Sequence, residues 1–425
     1  MKIKNDPVYV RRRRAVIAVL VVATLILALV IGKLVSDDDS AEASPTNASA
    51  STSASATGEP EPTTPAEVES PAPEDSPAAE QGGKADPAES DLVRVQRLTG
   101  EMTPKSVVAS KKGQVFAQNM MYSHTVSVFT ADGSLQKTIG DAVELADFGI
   151  EGHPGTSQGS PVEMAFSPDG ETAWVSNYSM YGEGFLPEGK DACEGPEGIS
   201  NSYLYKIDTS SLEIVDVIEV GAVPKYVAAT PDSEQVLVSN WCSMDLSVID
   251  VEQGEVTSTI PLGGDNPRGI EVSPDSSTAY VALMGDDRTV AVDLASGEVD
   301  GDFTVTGDGP RHLVLSPDGT HLYVTNNNDA TVSEVDTATG EVTRVVQVGN
   351  QPRSMTMSPD GAALYVVNYN DATMSKILTE DFEVVQTVKT DPHPIGITYE
   401  PTKERVWVAN YGGSIIVFDD SRSVA

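Results

Sequence analysis

The sequence predicts an all-β fold, a ring of seven four-stranded sheets known as a β-propeller. The first observation is a repeat, 42 or 43 residues long in its regular copies, in which strand-forming runs alternate with turn signals. Two longer steps between copies indicate insertions. The second observation is that the last copy lacks one strand, which the segment before the first copy can supply. Each copy opens at a proline, and the seven are Pro104, Pro161, Pro224, Pro267, Pro310, Pro352 and Pro394.

Each copy has the same four elements. The proline precedes a strand in which large and small side chains alternate, as an innermost strand requires where blades approach the axis. A turn follows, most clearly Ser316-Pro317-Asp318-Gly319, whose proline, aspartate and glycine each favour a turn position. The second strand ends in an asparagine that we expect to bond the turn backbone, except in the fourth copy, where Leu283 stands there. The asparagines are Asn119, Asn177, Asn240, Asn326, Asn368 and Asn410.

The seventh copy stops after its third strand, at residues 414–418. Residues 92–98 precede the first copy and have the pattern of a strand. We therefore expect this N-terminal segment to form the outer strand of the seventh blade. Such closure removes the free sheet edges that would otherwise promote aggregation.

The run Tyr323-Val324-Thr325-Asn326, together with the turn before it, resembles the YVTN-repeat family of extracytoplasmic seven-bladed propellers. The resemblance covers about residues 91–419. The WD40 repeat family is excluded, because no Gly-His or Trp-Asp pair recurs in the sequence. The resemblance implies a secreted or surface propeller but no single activity. Its members are similar to surface-layer components, binding proteins and, more distantly, lactonases and quinoprotein subunits.

The N-terminal residues predict a membrane anchor. Residues 1–14 are basic, and the apolar run that follows, extended to residue 35, is long enough to span a bilayer. Arginines before the run and aspartates after it place the N-terminus in the cytoplasm. We predict a cytoplasmic segment at 1–14, a single-pass transmembrane signal anchor at 15–35 and the propeller on the extracytoplasmic side of the cell membrane. A signal peptide cleaved after Ala41-Glu42-Ala43 is the alternative.

Residues 36–90 are rich in Ala, Ser, Thr, Pro and Glu and contain no aromatic residue. Such a composition cannot bury a core, so we predict a disordered stalk at 36–90 followed by the propeller at 91–425.

The formal net charge of the chain is −37 although its N-terminus is basic. Strong acidity argues against nucleic acid as a partner, because nucleic-acid binding uses basic patches.

Two cysteines occur, at equivalent connections of neighbouring blades. Cys193 lies in the second insertion, and Cys242 follows Asn240 and Trp241. Adjacent blades would bring the two together, so we predict a disulfide that fixes the insertion. Two free thiols or a metal-binding pair are the alternatives.

The residue after the opening proline is basic in five blades. These positions should ring one mouth of the channel, where we predict that they attract an anionic ligand. The structural alternative is that they bond neighbouring carbonyls or pair with acids such as Glu163 and Glu271. The five residues are Lys105, Lys225, Arg268, Arg311 and Arg353.

Aromatic residues and histidines should add to the same face. Trp241, His312 and His393 complete the predicted ligand-binding rim, and the insertions at 140–160 and 178–202 should form a lid over it. The aromatic residues beside the asparagines either stack on a ligand or pack between blades; they are Tyr178, Trp241, Tyr369 and Tyr411. Nothing in the sequence matches a metal site, a cofactor motif or a catalytic motif, so we predict no metal and no cofactor and name no catalytic residue.

These observations predict a membrane-anchored, extracytoplasmic propeller that acts as a ligand- or protein-binding or scaffold module through its lidded, basic-rimmed face. Its partner would be an anionic ligand or an envelope protein. The alternative is a lactonase-like hydrolase or lyase at the same channel mouth, using a rim histidine with Glu163 or Glu271. A structural role in a surface layer or in adhesion is third.

Overall fold

The structure, a computed structural model, describes residues 90–187, 193 and 198–421. These residues belong to one compact unit, Ala78–Ala425. The predicted cytoplasmic segment, signal anchor and nearly all of the stalk lie outside the described residues. The described residues contain no helix that is both long enough and apolar enough to cross a bilayer.

The described chain folds into seven four-stranded antiparallel sheets, as the repeat predicts, with a two-stranded sheet in the first insertion. The first strand of the described residues is β1 (Val93–Thr99). Blade 1 consists of β2 (Ser106–Ala109), β3 (Gln114–Asn119), β4 (Thr125–Thr130) and β5 (Leu135–Gly140). The small sheet consists of β6 (Val143–Glu144) and β7 (Thr156–Ser157), which flank a short 3-10 helix (Leu145–Phe148). Blade 2 consists of β8 (Pro161–Phe166), β9 (Thr172–Asn177), β10 (Ser202–Asp208) and β11 (Glu213–Val220).

The remaining blades follow the same order from the inner strand outward. Blade 3 consists of β12 (Pro224–Ala229), β13 (Gln235–Asn240), β14 (Asp245–Asp250) and β15 (Glu255–Pro261). Blade 4 consists of β16 (Pro267–Val272), β17 (Thr278–Leu283), β18 (Arg288–Asp293) and β19 (Val299–Thr304). Blade 5 consists of β20 (Pro310–Leu315), β21 (His321–Asn326), β22 (Thr331–Asp336) and β23 (Val342–Gln347). Blade 6 consists of β24 (Pro352–Met357), β25 (Ala363–Asn368), β26 (Thr373–Leu378) and β27 (Glu383–Lys389), and blade 7 begins with β28 (Pro394–Glu400), β29 (Arg405–Asn410) and β30 (Ser414–Asp419).

The N-terminal strand closes the ring, as predicted. β1 pairs antiparallel with β30, from Val93 opposite Asp419 to Thr99 opposite Ser414. The strand therefore covers residues 93–99 rather than 92–98, a shift of one residue. Because β1 and β30 come from opposite ends of the described chain, the sheet of blade 7 joins the first and last strands of the propeller.

A buried polar cluster, the closure clamp, holds the residue at the start of this segment. The Lys376 ammonium donates hydrogen bonds to the Ser90 carbonyl (2.8 Å), the Ser90 hydroxyl (3.0 Å) and Asp420 Oδ1 (2.8 Å). The Tyr365 hydroxyl donates to the other oxygen of Asp420. The side chains of Lys376 and Asp420 are 1% and 0% exposed. The clamp therefore ties blade 6 to Ser90, which precedes β1, and to Asp420, which follows β30.

The asparagines are structural, and they bond both backbone and side-chain groups. Asn326 is buried, and its amide donates to the Thr306 carbonyl (3.1 Å), in the connection before β20, and to the hydroxyls of Thr331 (3.0 Å) and Ser333 (2.9 Å) on the third strand. In blade 4, Leu283 stands in place of the asparagine. The antiparallel register places Val290 where Ser333 lies in blade 5, so a valine stands in place of the serine. Both residues are fully buried in one apolar cluster. An apolar pair thus substitutes for a hydrogen-bonded pair.

Candidate functional site

One mouth of the channel contains a cavity of about 540 Å³, here called the rim cavity. Its wall includes all five of the cations that the repeat places after the opening prolines. It also includes several tyrosines from the loops that follow the second strands. The cations are Lys105, Lys225, Arg268, Arg311 and Arg353, and the tyrosines are Tyr122, Tyr178, Tyr181, Tyr369 and Tyr411.

Irregular pairing at the opening prolines accounts for the position of these cations. Proline has no N–H to donate to the ladder, and in blades 4 to 6 the register shifts by one residue immediately after it. Arg268, Arg311 and Arg353 lie within these shifts. Bulges of this kind redirect side chains. Here they place the three guanidinium groups at the cavity.

Three of the five cations are deeply buried. Lys105, Arg268 and Arg311 are 6%, 7% and 5% exposed. Lys105 Nζ lies 3.0 Å from Glu163 Oε1. Within the described residues, Arg268, Arg311 and Arg353 make no ion pair with a carboxylate. The interior of the rim therefore has more positive than negative charge.

Burial, assisted by this excess of positive charge, lowers the pKa values of the buried cations. Burial is the main cause for Lys105, whose pKa falls to about 8; Glu163 opposes the fall, and Arg268 and Arg311 add to it. Burial likewise lowers the pKa of Arg268 to about 10 and that of Arg311 well below its usual value. Burial disfavours the charged form of each group, and so does each cationic neighbour.

The structural alternative accounts for some of these cations. Arg311 Nε donates to the carbonyl of Arg353 (3.1 Å), and Arg353 Nη2 donates to Gln351 Oε1 (2.8 Å). Lys105 pairs with Glu163, one of the two acids that were considered. The guanidinium of Arg268, however, makes no hydrogen bond to any described residue, and Arg353 Nε is buried without a partner there. Arg268 and Arg353 therefore have hydrogen-bond donors at the cavity wall without an acceptor among the described residues.

The aromatic residues beside the asparagines contact the cations. Lys225 Nζ lies 3.8 Å from the centroid of the Tyr178 ring, and Arg353 Cζ lies 4.4 Å from that of Tyr369. Trp241 lies near two cations, 5.4 Å from Lys225 Nζ and 5.6 Å from Arg268 Cζ. Cation–π contacts at these distances hold the charged groups in place. Tyr178 and Tyr369 therefore orient cations in addition to lining the cavity, whereas Trp241, predicted at the rim, contacts two of the cations without lining the cavity.

Two histidines predicted at the rim do not line the rim cavity. His393 is exposed and stacks on Tyr369, with 4.7 Å between the ring centroids. His312 was predicted at the rim but lines a second cavity of about 620 Å³ within the channel, here called the channel cavity. Neighbouring residues of a strand project to opposite sides, so Arg311 can face the rim while His312 faces the channel.

His312 is neutral in this position. Its Nε2 lies 3.0 Å from the Tyr226 hydroxyl, and burial followed by repulsion from Arg311 lowers its pKa to about 3. Glu163 and Glu271 also line the channel cavity. Burial raises the pKa of Glu271 to about 8, so its carboxyl is largely protonated at neutral pH.

A histidine–carboxylate pair that the sequence did not indicate borders the rim cavity. His124 lines the cavity, and its Nδ1 lies 2.8 Å from the Gly159 carbonyl and 3.6 Å from Asp141 Oδ2. The Asp141 side chain is 2% exposed, and burial raises its pKa to about 8. Asp141 directly follows β5 in the chain, but no motif distinguishes it from the many other acids of this sequence.

The two insertions contact each other beside the rim cavity. The backbone of Gln158 pairs with that of Tyr181, and the rings of His153 and Phe185 stack at 3.9 Å. The predicted disulfide between Cys193 and Cys242 is confirmed, with 5.0 Å between the Cα atoms. It joins the second insertion to blade 3. Within the described residues, no cluster of three or more His, Cys, Asp or Glu side chains could hold a metal ion.

Comparison with known proteins supports the architecture. No curated protein sequence matches the chain. The solved structure of Kuenenia stuttgartiensis hydrazine synthase is similar, with a TM-score of 0.59 and 18% identity over 76% of this chain and 98% of that chain. At this identity the similarity shows a shared fold. The family model described as "Lactonase, 7-bladed beta-propeller" matches residues 201–348 and 329–423, together more than half of the sequence. The chain belongs to the lactonase seven-bladed β-propeller family.

Proposed function

We propose that this protein is a membrane-anchored, extracytoplasmic binding module that holds an anionic ligand in the rim cavity. The observation that supports this most is the charge of the cavity wall. Five cations line it, three of them at most 7% exposed, and Glu163 is the carboxylate that pairs with one of them. A carboxylate or phosphate group, whether on a small molecule or on an acidic segment of an envelope protein, has the complementary charge.

Burying a charged group in the protein interior costs free energy. Moving an ion out of water costs several kcal/mol even after the protein relaxes, unless an opposite charge compensates. Arg268 is 7% exposed and makes no ion pair to the described residues. A bound anion would supply the missing charge and accept hydrogen bonds from the guanidinium groups. The stability lost by burying the cations would then be partly recovered as binding affinity.

The surroundings of the cavity also favour a binding role. Tyrosines that pack against the cations keep them oriented before a ligand arrives, which reduces the ordering cost of binding. Both insertions contribute to the wall of the cavity, Ser160 from the first and Tyr178 and Tyr181 from the second, and the disulfide links the second insertion to blade 3. The predicted signal anchor at 15–35 and stalk at 36–90 would place this face at a distance from the membrane.

Titration with citrate tests the proposal, because citrate is a small anion with several carboxylates. We expect calorimetry to show binding to the full chain that weakens at high salt, as screening predicts. Replacing Arg268, Arg311 and Arg353 together with Gln should abolish this binding. The matched control removes three exposed charges outside the cavity, namely Arg94, Lys389 and Lys403, also by replacement with Gln. Equal affinity in the two triple variants would refute the proposal.

The second candidate function is hydrolysis or lyase chemistry at the same mouth. Membership of a family named for lactonases supports it, as does the 3.6 Å approach of His124 to a buried carboxylate beside the cavity. A histidine oriented by a carboxylate can transfer protons in ester hydrolysis. Opening of glucono-δ-lactone, followed by pH-stat, tests this candidate. A rate equal to that without protein, or one unaffected by His124→Ala, would exclude His124-dependent opening of this lactone.

A further inference from the structure

Lys105 lines the rim cavity and has a carboxylate partner in the interior. Its Nζ lies 3.0 Å from Glu163 Oε1, and its side chain is 7% exposed. Its backbone N–H donates to the carbonyl of Gln118 (2.7 Å), which anchors it to the second strand of blade 1. An amine, a proton acceptor and a cavity that admits small anions therefore occur at one place.

The environment of Lys105 also makes its amine reactive. A lysine attacks only in its neutral form, and desolvation or neighbouring cations increase the fraction in that form. Burial, assisted by Arg268 and Arg311, lowers the pKa of Lys105 to about 8. About a tenth of the amine is then neutral at pH 7, compared with less than a thousandth for a lysine in water.

We propose that Lys105 captures a 2-oxo acid as a protonated imine, with Arg268 and Arg311 holding the carboxylate of that acid. The inference rests on the proposed function, since the same cations attract the anion. A 2-oxo acid has its carboxylate directly attached to the carbonyl carbon. It can therefore meet a guanidinium group, which binds carboxylates well, and the amine at the same time.

The step balances without any further reactant. Glu163 takes a proton from the Lys105 ammonium, and the neutral amine forms a bond to the carbonyl carbon of the acid. A proton passes from nitrogen to oxygen to give a carbinolamine. Glu163 then returns its proton to the hydroxyl group, which leaves as water while the carbon–nitrogen double bond forms. One ammonium and one ketone yield one protonated imine and one water, with no net change in protons.

The test is reductive trapping of the full chain with pyruvate and sodium cyanoborohydride, followed by peptide mass spectrometry. We expect one reduced pyruvyl group per chain, located on Lys105. The conservative variant Lys105→Arg should yield no adduct, whereas Lys206→Arg, which changes a half-buried lysine of blade 2 outside the rim cavity, should react like the wild type. Peptide mapping of the wild type assigns the site even if Lys105→Arg fails to fold. Absence of the adduct, or its spread over exposed lysines, would overturn the proposal.

Glu163→Gln and the non-carbonyl analogue lactate separate the possible failures. Because Glu163 transfers the proton, Glu163→Gln should slow adduct formation by about 100-fold, a typical effect of losing a general acid–base group. A rate unchanged in Glu163→Gln would contradict its role in the step. Lactate has the carboxylate but no carbonyl group. If lactate binds the wild type and pyruvate leaves no adduct, the imine is refuted while anion binding stands; if neither binds, both proposals fail.

Discussion

The closure clamp gives a sharp prediction of stability, because it buries an ion pair at the point where the ring closes. Lys376→Met removes an ammonium that makes three hydrogen bonds, two to Ser90 and one to Asp420. The carboxylate of Asp420 is 0% exposed, so water cannot replace the lost partner. Methionine fills a similar volume, so the change removes mainly the charge and its bonds.

The expected loss is about 3–5 kcal/mol, the cost of breaking a buried ion pair by removing one partner. This is a large part of the stability of a typical domain, about 5–15 kcal/mol. Replacing both partners, as Lys376→Met with Asp420→Leu, should cost clearly less than the sum of the two single changes, because no uncompensated charge remains buried.

Urea denaturation followed by tryptophan fluorescence measures these differences, since Trp407 is fully buried in blade 7. Lys403→Met is the matched control, at an exposed site of blade 7. It should change the stability by less than about 0.5 kcal/mol. A loss below about 1 kcal/mol for Lys376→Met, or strict additivity in the double variant, would refute the assigned role of the clamp.

Three further predictions concern other parts of the ring. Replacing Cys193 and Cys242 with Ser, which opens a loop with a sequence separation of 49, should lower stability by about 2–4 kcal/mol; equal thermal melting with and without the disulfide would contradict this. Asn326→Ala leaves the buried Thr306 carbonyl and the hydroxyls of Thr331 and Ser333 without their amide donor and should cost about 1–3 kcal/mol in urea titration, whereas an unchanged midpoint would show that the amide is dispensable. Glu271, with a pKa raised from 4.5 to about 8, keeps in the folded state a proton that the unfolded chain releases, so its contribution is full below pH 4.5 and is lost as the pH rises to 8. Glu271→Gln should therefore show a flatter decline in stability between pH 5 and 8 than the wild type, and parallel profiles would exclude this assignment.

The ring and its closure could be predicted because they follow from local patterns. Each blade repeats the same strand and turn signals, and a chain that lacks one strand at its end has few ways to remove a free edge. The five rim cations could be placed for the same reason, since each follows an opening proline. Their sharing of one cavity follows from the symmetry of the repeat.

Details that depend on contacts between blades could not be predicted. His312 lies inside the channel because the register shift after Pro310 decides which way successive side chains point, and the repeat marks the shift but not its direction. Asp141 approaches His124 across an insertion without repeat symmetry. The amide of Asn326 bonds the Thr306 carbonyl and two hydroxyls of the third strand, which the two-residue alternation of a strand does not identify.

The exchange of Asn and Ser for Leu283 and Val290 in blade 4 limits how such a ring can change during evolution. Changing one member alone leaves either a buried amide with one acceptor fewer or a buried serine hydroxyl without its amide donor, and each lost buried hydrogen bond costs about 1 kcal/mol. A lineage that passes from one pair to the other must cross that less stable intermediate or change both positions together. A consensus protein assembled from identical blades should therefore copy the two positions as a unit, because residues averaged one position at a time could combine the mismatched partners.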